Sequence, residues 1–549
     1  MADADVIVIG AGLSGLVAAT ELTRRGRSVI VVDAEPAASL GGQAWWSFGG
    51  LFLVDSPEQR RLGVKDSPEL AFSDWRGSAR FDPAAAQGEG PDRHGYAWAE
   101  KYVEFAAGPM REWLHRLGVR WFPLVQWAER GGYLAGGHGN TVPRFHVTWG
   151  TGPGILAPFV SAANRARADG RLRFFFRHRV RELLTTDGEV TGIRADVLAR
   201  DDAARGAPSN REVTGERELH AGAVIIASGG IGANHELVRK LWPSGTLPET
   251  MLSGVPDSTD GSMLPIAQAA GADLVHLNRM WHYPEGIPMH TPVWNRHGIR
   301  ILPGPSSLWL DADGNRLPAP LFPGFDALGA LEHVTARGDT HSWFVLNKKI
   351  METEFALSGS DMNPDLTGKD VPLLFKRVLP GAVGPVAKFA YESPEFLWAQ
   401  EPRELAAKMN DLTGEDRIDP GALADIIHLR DLQVSSGLGK DPQVVATAAA
   451  REFWVDRRMR VSPPRPLTES NDGPLLAVRL HVLTRKTLGG IHTDASARAL
   501  DPAGQVVPGL FAVGEAAGFG GGGVHGTRAL EGTFLGGCIH SGRVAAHAV

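Results

Sequence analysis

The 549 residues predict an α/β protein: a parallel sheet of nucleotide-binding type, split along the chain by an inserted α+β unit. Three observations predict it. A short apolar strand runs into Gly10-x-Gly12-x-x-Gly15 and a helix. Buried-type strands that end in glycine return near residues 224–230 and 510–515, and between about Asn278 and Ser470 these patterns vanish. Segments 1–277 and 471–549 then form one discontinuous domain, with 278–470 as a cap set into it.

Each element of the opening has a physical reason. Val6 to Ile9 is short and β-branched, as a strand buried on both faces should be. Gly10 suits a tight turn, Gly12 lets the backbone approach a pyrophosphate, and Gly15 lets helix and strand pack closely. Leu13 and Ser14 open the helix, whose free amides and dipole favour an anion. Gly26 stops the helix, and a second strand, Ser28 to Val32, ends in Asp33 followed by Ala34. An acid at that place accepts hydrogen bonds from a ribose. This is a Rossmann-like dinucleotide unit. With 43% apolar and 21% charged residues and a formal charge of −6, nothing suggests nucleic-acid binding. The single cysteine, Cys538, excludes an intrachain disulfide and fits a reducing, cytoplasmic setting. The start carries acids where a secretion signal needs basic residues, and no apolar run is long enough to span a bilayer.

The next stretch, "SLGGQAWWSFGGLFL", sets Gly41–Gly42 and Gly49–Gly50 around Gln43, Ala44 and Ser47. A nicotinamide domain would continue into a third strand, whereas a glycine-rich excursion suggests a backbone tracking a longer cofactor. Here the chain resembles the flavoprotein family of fumarate reductases, succinate dehydrogenase flavoprotein subunits and 3-ketosteroid dehydrogenases. That family runs a GG-x-(S/A)-x-x-S-x-GG segment under FAD. The resemblance implies FAD, held without a covalent link because no histidine lies in the segment. It extends to "AGAVIIASGGIGAN", where Ala227, Ser228 and Gly229 match a family turn, and implies that the backbone of Val180 meets the adenine. "SGVPDSTDGSMLPIAQAAGADL" is similar to a family helix motif near the flavin. In "LFAVGEAAG", Gly514 and Glu515 match the place of an acid on the ribityl chain. Gly532, Thr533, Phe534 and Leu535 open the last helix, and the resemblance aims its N-terminus at the flavin.

The chemistry is expected where cap and FAD domain meet. The stretch Val513–Gly537 holds ten glycines, interrupted by His525 and Arg528 among others. Fumarate reductases place a substrate-binding arginine in a similar G-V-H-G-x-x-R stretch, and ketosteroid dehydrogenases place a catalytic tyrosine nearby. The resemblance thus makes Arg528 a binder of carbonyl or carboxylate, helped by His525. A structural bridge from Arg528 to an acid such as Glu531 is the alternative. Lys486, in "LTRKTLGG", replaces the family's substrate histidine. His282 stands near a family His-Pro landmark with either a structural or a proton-transfer role, and Tyr283, one of five tyrosines, is the phenol candidate. No metal is expected.

The cap is rich in Trp and Phe (Trp281, Trp294, Trp309, Trp343, Trp398, Phe322, Phe325, Phe344), mostly as core, and so favours a bulky apolar substrate. The reading is an FAD-dependent dehydrogenase of a CH–CH bond beside a carbonyl, on a 3-oxosteroid-like substrate, with an external electron acceptor or donor. Two alternatives stand beside it: reduction of an unsaturated acid, and an electron-carrier subunit without its own substrate. "PLLFKRVLPGAVGPVAKFAY", Pro372 to Tyr391, reads as a folded connection with solvated lysines, or as a lid or weak membrane-surface contact.

Overall fold

The computed structural model describes residues 2–132, 137–243, 246–379 and 381–549. The chain lays down β1 (Ala4–Ile9), α1 (Leu13–Arg24), β2 (Val29–Asp33), α2 (Thr151–Ala168), β3 (Leu172–Phe176), β4 (His178–Thr186), β5 (Glu189–Leu198) and β6 (Val213–Ile226). A second group comes next: β7 (Met280–Pro288), β8 (Gly298–Leu302), β9 (Leu308–Leu310), α3 (Ala327–Ala336) and β10 (His341–Asn347). The chain returns through β11 (Leu475–Thr487), β12 (Val506–Ala512) and α4 (Thr533–Ala548).

The central part of the first sheet runs β12-β6-β1-β2-β3, all parallel, with antiparallel strands joined to it, β5 on β6 and β4 on β5 among them. Val6, Ile7 and Val8 are fully buried, which accounts for a β-branched run with no polar alternation. Two glycines are required rather than merely allowed. A Cβ on Gly10, at φ +106°, would sit 2.5 Å from the carbonyl oxygen of Ala227. One on Gly15 would sit 2.1 Å from the carbonyl oxygen of Gly10, so α1 lies against the sheet only without a side chain there. The β4–β5 hairpin turns at Asp187–Gly188, both at positive φ, as the Asp-Gly pair predicts. The charged loop from β5 to β6 folds back over residues 35–45. Arg205 lies 3.7 Å over the Trp45 ring, and Arg211 pairs with Glu35 at 2.6 Å.

The second sheet runs β9-β10-β11-β7-β8 and is antiparallel. Its central strand is β11, so residues 475–487, which the sequence assigned to the returning FAD segment, build the cap sheet. The expected aromatic core is present: Trp281, Trp343 and Phe344 are fully buried, and Trp309 packs edge-on to Phe344. Trp398 is only half-buried. Within Pro372–Tyr391, Pro380 lies outside the described residues. Around it Val386 and Phe389 are buried while Phe375 and Leu379 are exposed, so the segment is a folded rim with an apolar edge. Among the described residues no helix is long and apolar enough to cross a membrane.

The Gly15 contact is testable. Gly15→Ala is expected to lower stability by about 1–3 kcal/mol, because overpacking against backbone outweighs alanine's helix preference. Thermal unfolding would read the loss, and the flavin absorbance of the purified protein should fall with it.

Candidate active site

A cleft of about 900 Å³ opens between the two sheets, and both contribute to its wall. On the first side Gly10, Gly12, Leu13 and Ser14 come from the β1–α1 turn. Asp33 and Ala34 come from the end of β2, and Gly41, Gly42, Gln43, Ser47, Gly49 and Gly50 from the glycine excursion. Val180, Ala227, Ser228, Gly229, Glu515, Gly532, Phe534 and Leu535 complete that wall, together with Ser262 and Met263 from the helix motif.

Three expected cofactor residues lie beneath it rather than on it. Gly15 packs on β1; Gly514 donates its N–H to Ser541 Oγ at 2.9 Å; the Thr533 hydroxyl is turned onto the Leu530 carbonyl. A Cβ on Gly15 would meet the Gly10 carbonyl oxygen, and one on Gly514 would meet the Ser14 side chain at 2.5 Å.

The wall fits a dinucleotide. The N-cap of α1 is Gly12, with no side-chain cap and no acid in the first turn, and a Cβ there would meet nothing within 4 Å. Bare amides thus face open space, as a pyrophosphate requires. Asp33 accepts N–H bonds from Ala11 at 2.7 Å and Glu35 at 2.8 Å, which leaves about two of its four acceptor sites for ribose hydroxyls. Burial pushes its carboxyl up to about 6. Further along, Gln43 donates to Glu515 at 2.6 Å, Glu515 accepts the Thr487 N–H at 2.9 Å, and Lys486 Nζ stands 3.6 Å from Glu515 while bonding Gln43. Lys486 therefore belongs to the cofactor wall, against its expected place beside the substrate. α4 begins at Gly532 without a side-chain cap, its positive end directed into the cleft.

The opposite wall carries a buried ionic cluster. Antiparallel pairing sets Trp281 opposite Lys486 and Tyr283 opposite Leu483. The Tyr283 hydroxyl donates to Glu531 Oε1 at 2.6 Å, and Trp281 Nε1 reaches the same two groups at 3.1 and 3.3 Å. The Arg300 guanidinium lies 3.8 Å over the Tyr283 ring. It donates to Glu531 at 3.0 Å, Glu129 at 2.8 Å and Glu285 at 3.3 Å, and His138 backs Glu129 at 3.1 Å. Burial, then the Glu531 carboxylate, hold the Tyr283 phenol well above its usual range, with Arg300 opposing. Burial pushes Glu285 up to about 7 against the pull of Arg300. Arg485 also lines the cleft, with one guanidinium N–H on the Gly254 carbonyl.

The other expected catalytic residues face elsewhere. His282 alternates with Trp281 and Tyr283 along β7, so it points to the other face. It is fully buried, stacked on Trp242, and accepts the Arg485 N–H at 2.9 Å. Burial holds its pKa down at about 3. His525 is also fully buried, parallel to Trp75 at 5.7 Å and 2.9 Å from Thr533 Oγ1. Arg528 does not line the cleft; it binds Asp326 at 2.5 and 2.6 Å and Glu332 at 2.7 Å. The reason is the glycine run itself. Gly518, Gly520, Gly521, Gly522 and Gly526 all take positive φ, and these turns carry His525 inward and send Arg528 to the start of α3. The structural alternative for Arg528 is what the geometry shows, with Asp326 and Glu332 in place of Glu531. Arg316 likewise spends itself on Asp441 and Gln443.

Glu531, Arg300, Glu285, Glu129 and Arg485 were not foreseen. A charge in the apolar strand "GIRIL" was the available signal for Arg300; Glu129 had none. Glu129, His138 and Asp326 stand near enough to share a cation, but Arg300 and Arg528 already neutralise the two acids.

A dinucleotide wall beside a buried cluster of tyrosine, arginine and carboxylates fits an FAD-dependent oxidoreductase. The FAD binding domain model matches residues 5–535. A KsdD-like steroid dehydrogenase from Mycolicibacterium smegmatis is 56% identical over 538 residues, covering 97% of this chain and 96% of that one. A fumarate reductase (cytochrome) from Shewanella frigidimarina is 25% identical, over 98% of this chain and 76% of that protein. The solved 3-ketosteroid Δ1-dehydrogenase of Sterolibacterium denitrificans shares the fold, at TM-score 0.70, 16% identity and coverage of 99% and 98%. The chain belongs to the FAD-binding flavoprotein dehydrogenases and, within them, to the family of KsdD-like steroid dehydrogenases.

The ionic contacts give two expected outcomes. Arg528→Ala is expected to keep FAD and the cleft chemistry while losing about 3 kcal/mol of stability, because it strands Asp326; denaturant titration with flavin absorbance checks both. For Glu285, whose native pKa is raised above the unfolded value, the stabilising protonated form is lost as pH rises from about 4.5 through about 7. Glu285→Gln should therefore raise the unfolding midpoint at pH 8 and change it little at pH 4.

Proposed function

We propose that this chain dehydrogenates the CH–CH bond beside the ring carbonyl of a 3-oxosteroid-like substrate, with non-covalent FAD as the electron acceptor. The observation that carries the reading is the Tyr283 hydroxyl. Tyr283 lines the cleft, whose apolar lining includes Phe122, Leu124, Trp127 and Phe355. The 56% identity to a KsdD-like steroid dehydrogenase supports the substrate class.

Bound FAD supplies a two-electron, hydride-accepting ring. The rest is done by the chain. The β1–α1 turn and Asp33 hold the nucleotide, and Gln43, Glu515 and Lys486 orient its far part. The apolar lining, with substrate bound against it, excludes water and so strengthens the polar contacts of the site. Tyr283 takes the proton from the carbon next to the carbonyl. Arg485, with one donor spent on Gly254, keeps others for the oxygen that gains charge. A small external oxidant is the acceptor that completes the cycle.

The rival reading, reduction of a short unsaturated acid, would rest its carboxylate on Arg485, because Arg300 and Arg528 are both engaged by protein acids. A panel of 3-oxosteroids with an artificial electron acceptor tests the proposal. Turnover is expected, with Tyr283→Phe lowering kcat by roughly 100-fold or more while FAD stays bound. Inactivity across the panel, with fumarate perturbing the flavin spectrum instead, would overturn it.

A further inference from the structure

Tyr283 alone is a poor base. Its phenol is buried, and its proton lies on a short bond to a carboxylate that opposes any negative charge on the ring oxygen. A phenolate there would set two like charges 2.6 Å apart. The same bond offers a way out, since the proton already points at an acceptor.

We propose that Glu531 is the terminal proton acceptor of this site and that Tyr283 is the relay. The Tyr283 oxygen takes the proton from the carbon beside the substrate carbonyl while its own phenol proton passes to Glu531 Oε1. One C–H bond breaks and one O–H bond forms on Tyr283. The former phenol O–H bond breaks and a new one forms on Glu531. The electron pair of the C–H bond stays with the substrate as its enolate.

The surroundings are built for that exchange. Glu531 lines the cleft at the turn into α4, so its carboxylate meets Tyr283 from the side of the glycine-rich segment. Arg300 touches both partners, 3.0 Å from Glu531 and 3.8 Å over the Tyr283 ring, so the negative charge leaving Glu531 is compensated by Glu129 and Glu285 on the same guanidinium. The charged groups facing the pair are Arg300 on β8, Glu285 on β7, Arg485 on β11, and Glu129 with His138 behind it. Trp281 Nε1 donates to both the phenol and the carboxylate, which keeps them in register. Among the described residues no comparable acceptor stands beside His282 or His525, both locked in the interior.

The relay rests on the 3-oxosteroid reading for its substrate, and the test separates the two. The FAD-loaded enzyme is placed in D₂O with a 3-oxosteroid and no electron acceptor, and NMR follows deuterium entering the carbon beside the carbonyl as a function of pH. Steroid binding is measured separately from the flavin spectrum. Wild type should exchange faster as pH rises through the titration of its base. Glu531→Gln should bind steroid and FAD as wild type does, yet exchange roughly 100-fold more slowly and without that acid limb. Glu531→Asp should keep the limb at a reduced rate and covers the case of a poorly folded amide variant. Wild-type exchange and an unchanged pH limb in Glu531→Gln would overturn the relay while leaving the substrate reading intact. Loss of FAD from both variants would overturn it in favour of a cofactor-holding role. Failure of wild type to bind any 3-oxosteroid would sink the substrate reading, and the relay with it.

Discussion

One guanidinium in a dry place, that of Arg300, ties together the parts of this enzyme that the chain delivers far apart. Its partners come from β7, from the loop after residue 126 and from the turn before α4. Removing an ion from water costs several kcal/mol after relaxation, and only a complete set of partners offsets that. Three carboxylates share that one cation, and burial, with the neighbouring Glu129 adding to it, pushes the Glu285 carboxyl up to about 7. The active centre is therefore not a property of either sheet. It exists when cap, loop and C-terminal turn are docked together.

How much of this was legible in the sequence depends on range. Gly10, Gly12, Gly15 and Asp33 could be read because their task is local. The tight turn at Gly10, the bare helix end at Gly12 and the acid ending β2 are dictated within a few residues. The glycine excursion Gly41–Gly50 was legible for the same reason. Arg528 was not, since counting glycines along a family pattern assumes that they trace the same path. Here six residues at positive φ, Phe519 among them, coil the run and redirect the chain beyond them. Glu531, three residues on, was in view only as a partner for Arg528. Its true partners, Tyr283 and Arg300, are more than two hundred residues away and no local pattern points to them. β11 was misassigned likewise, because "TLGGIHTD" comes so soon after it that the strand seemed part of the returning domain.

The two walls of the cleft solve opposite problems. The cofactor wall is made mainly of backbone and small residues, where shape and free amides do the binding. The facing wall is made of long side chains whose polar ends are nearly all spoken for. In the proposed relay its freedom lies in a single proton on the short bond between Tyr283 and Glu531.

The loop that folds back from β5 to β6 carries a different consequence. Arg205 over Trp45, and Arg211 on Glu35, close a strap across the groove where the nucleotide lies. A dinucleotide held there would sit beneath both contacts. In the proposed reaction the flavin would then stay in place while the molecule to be oxidised and the external acceptor each come to it.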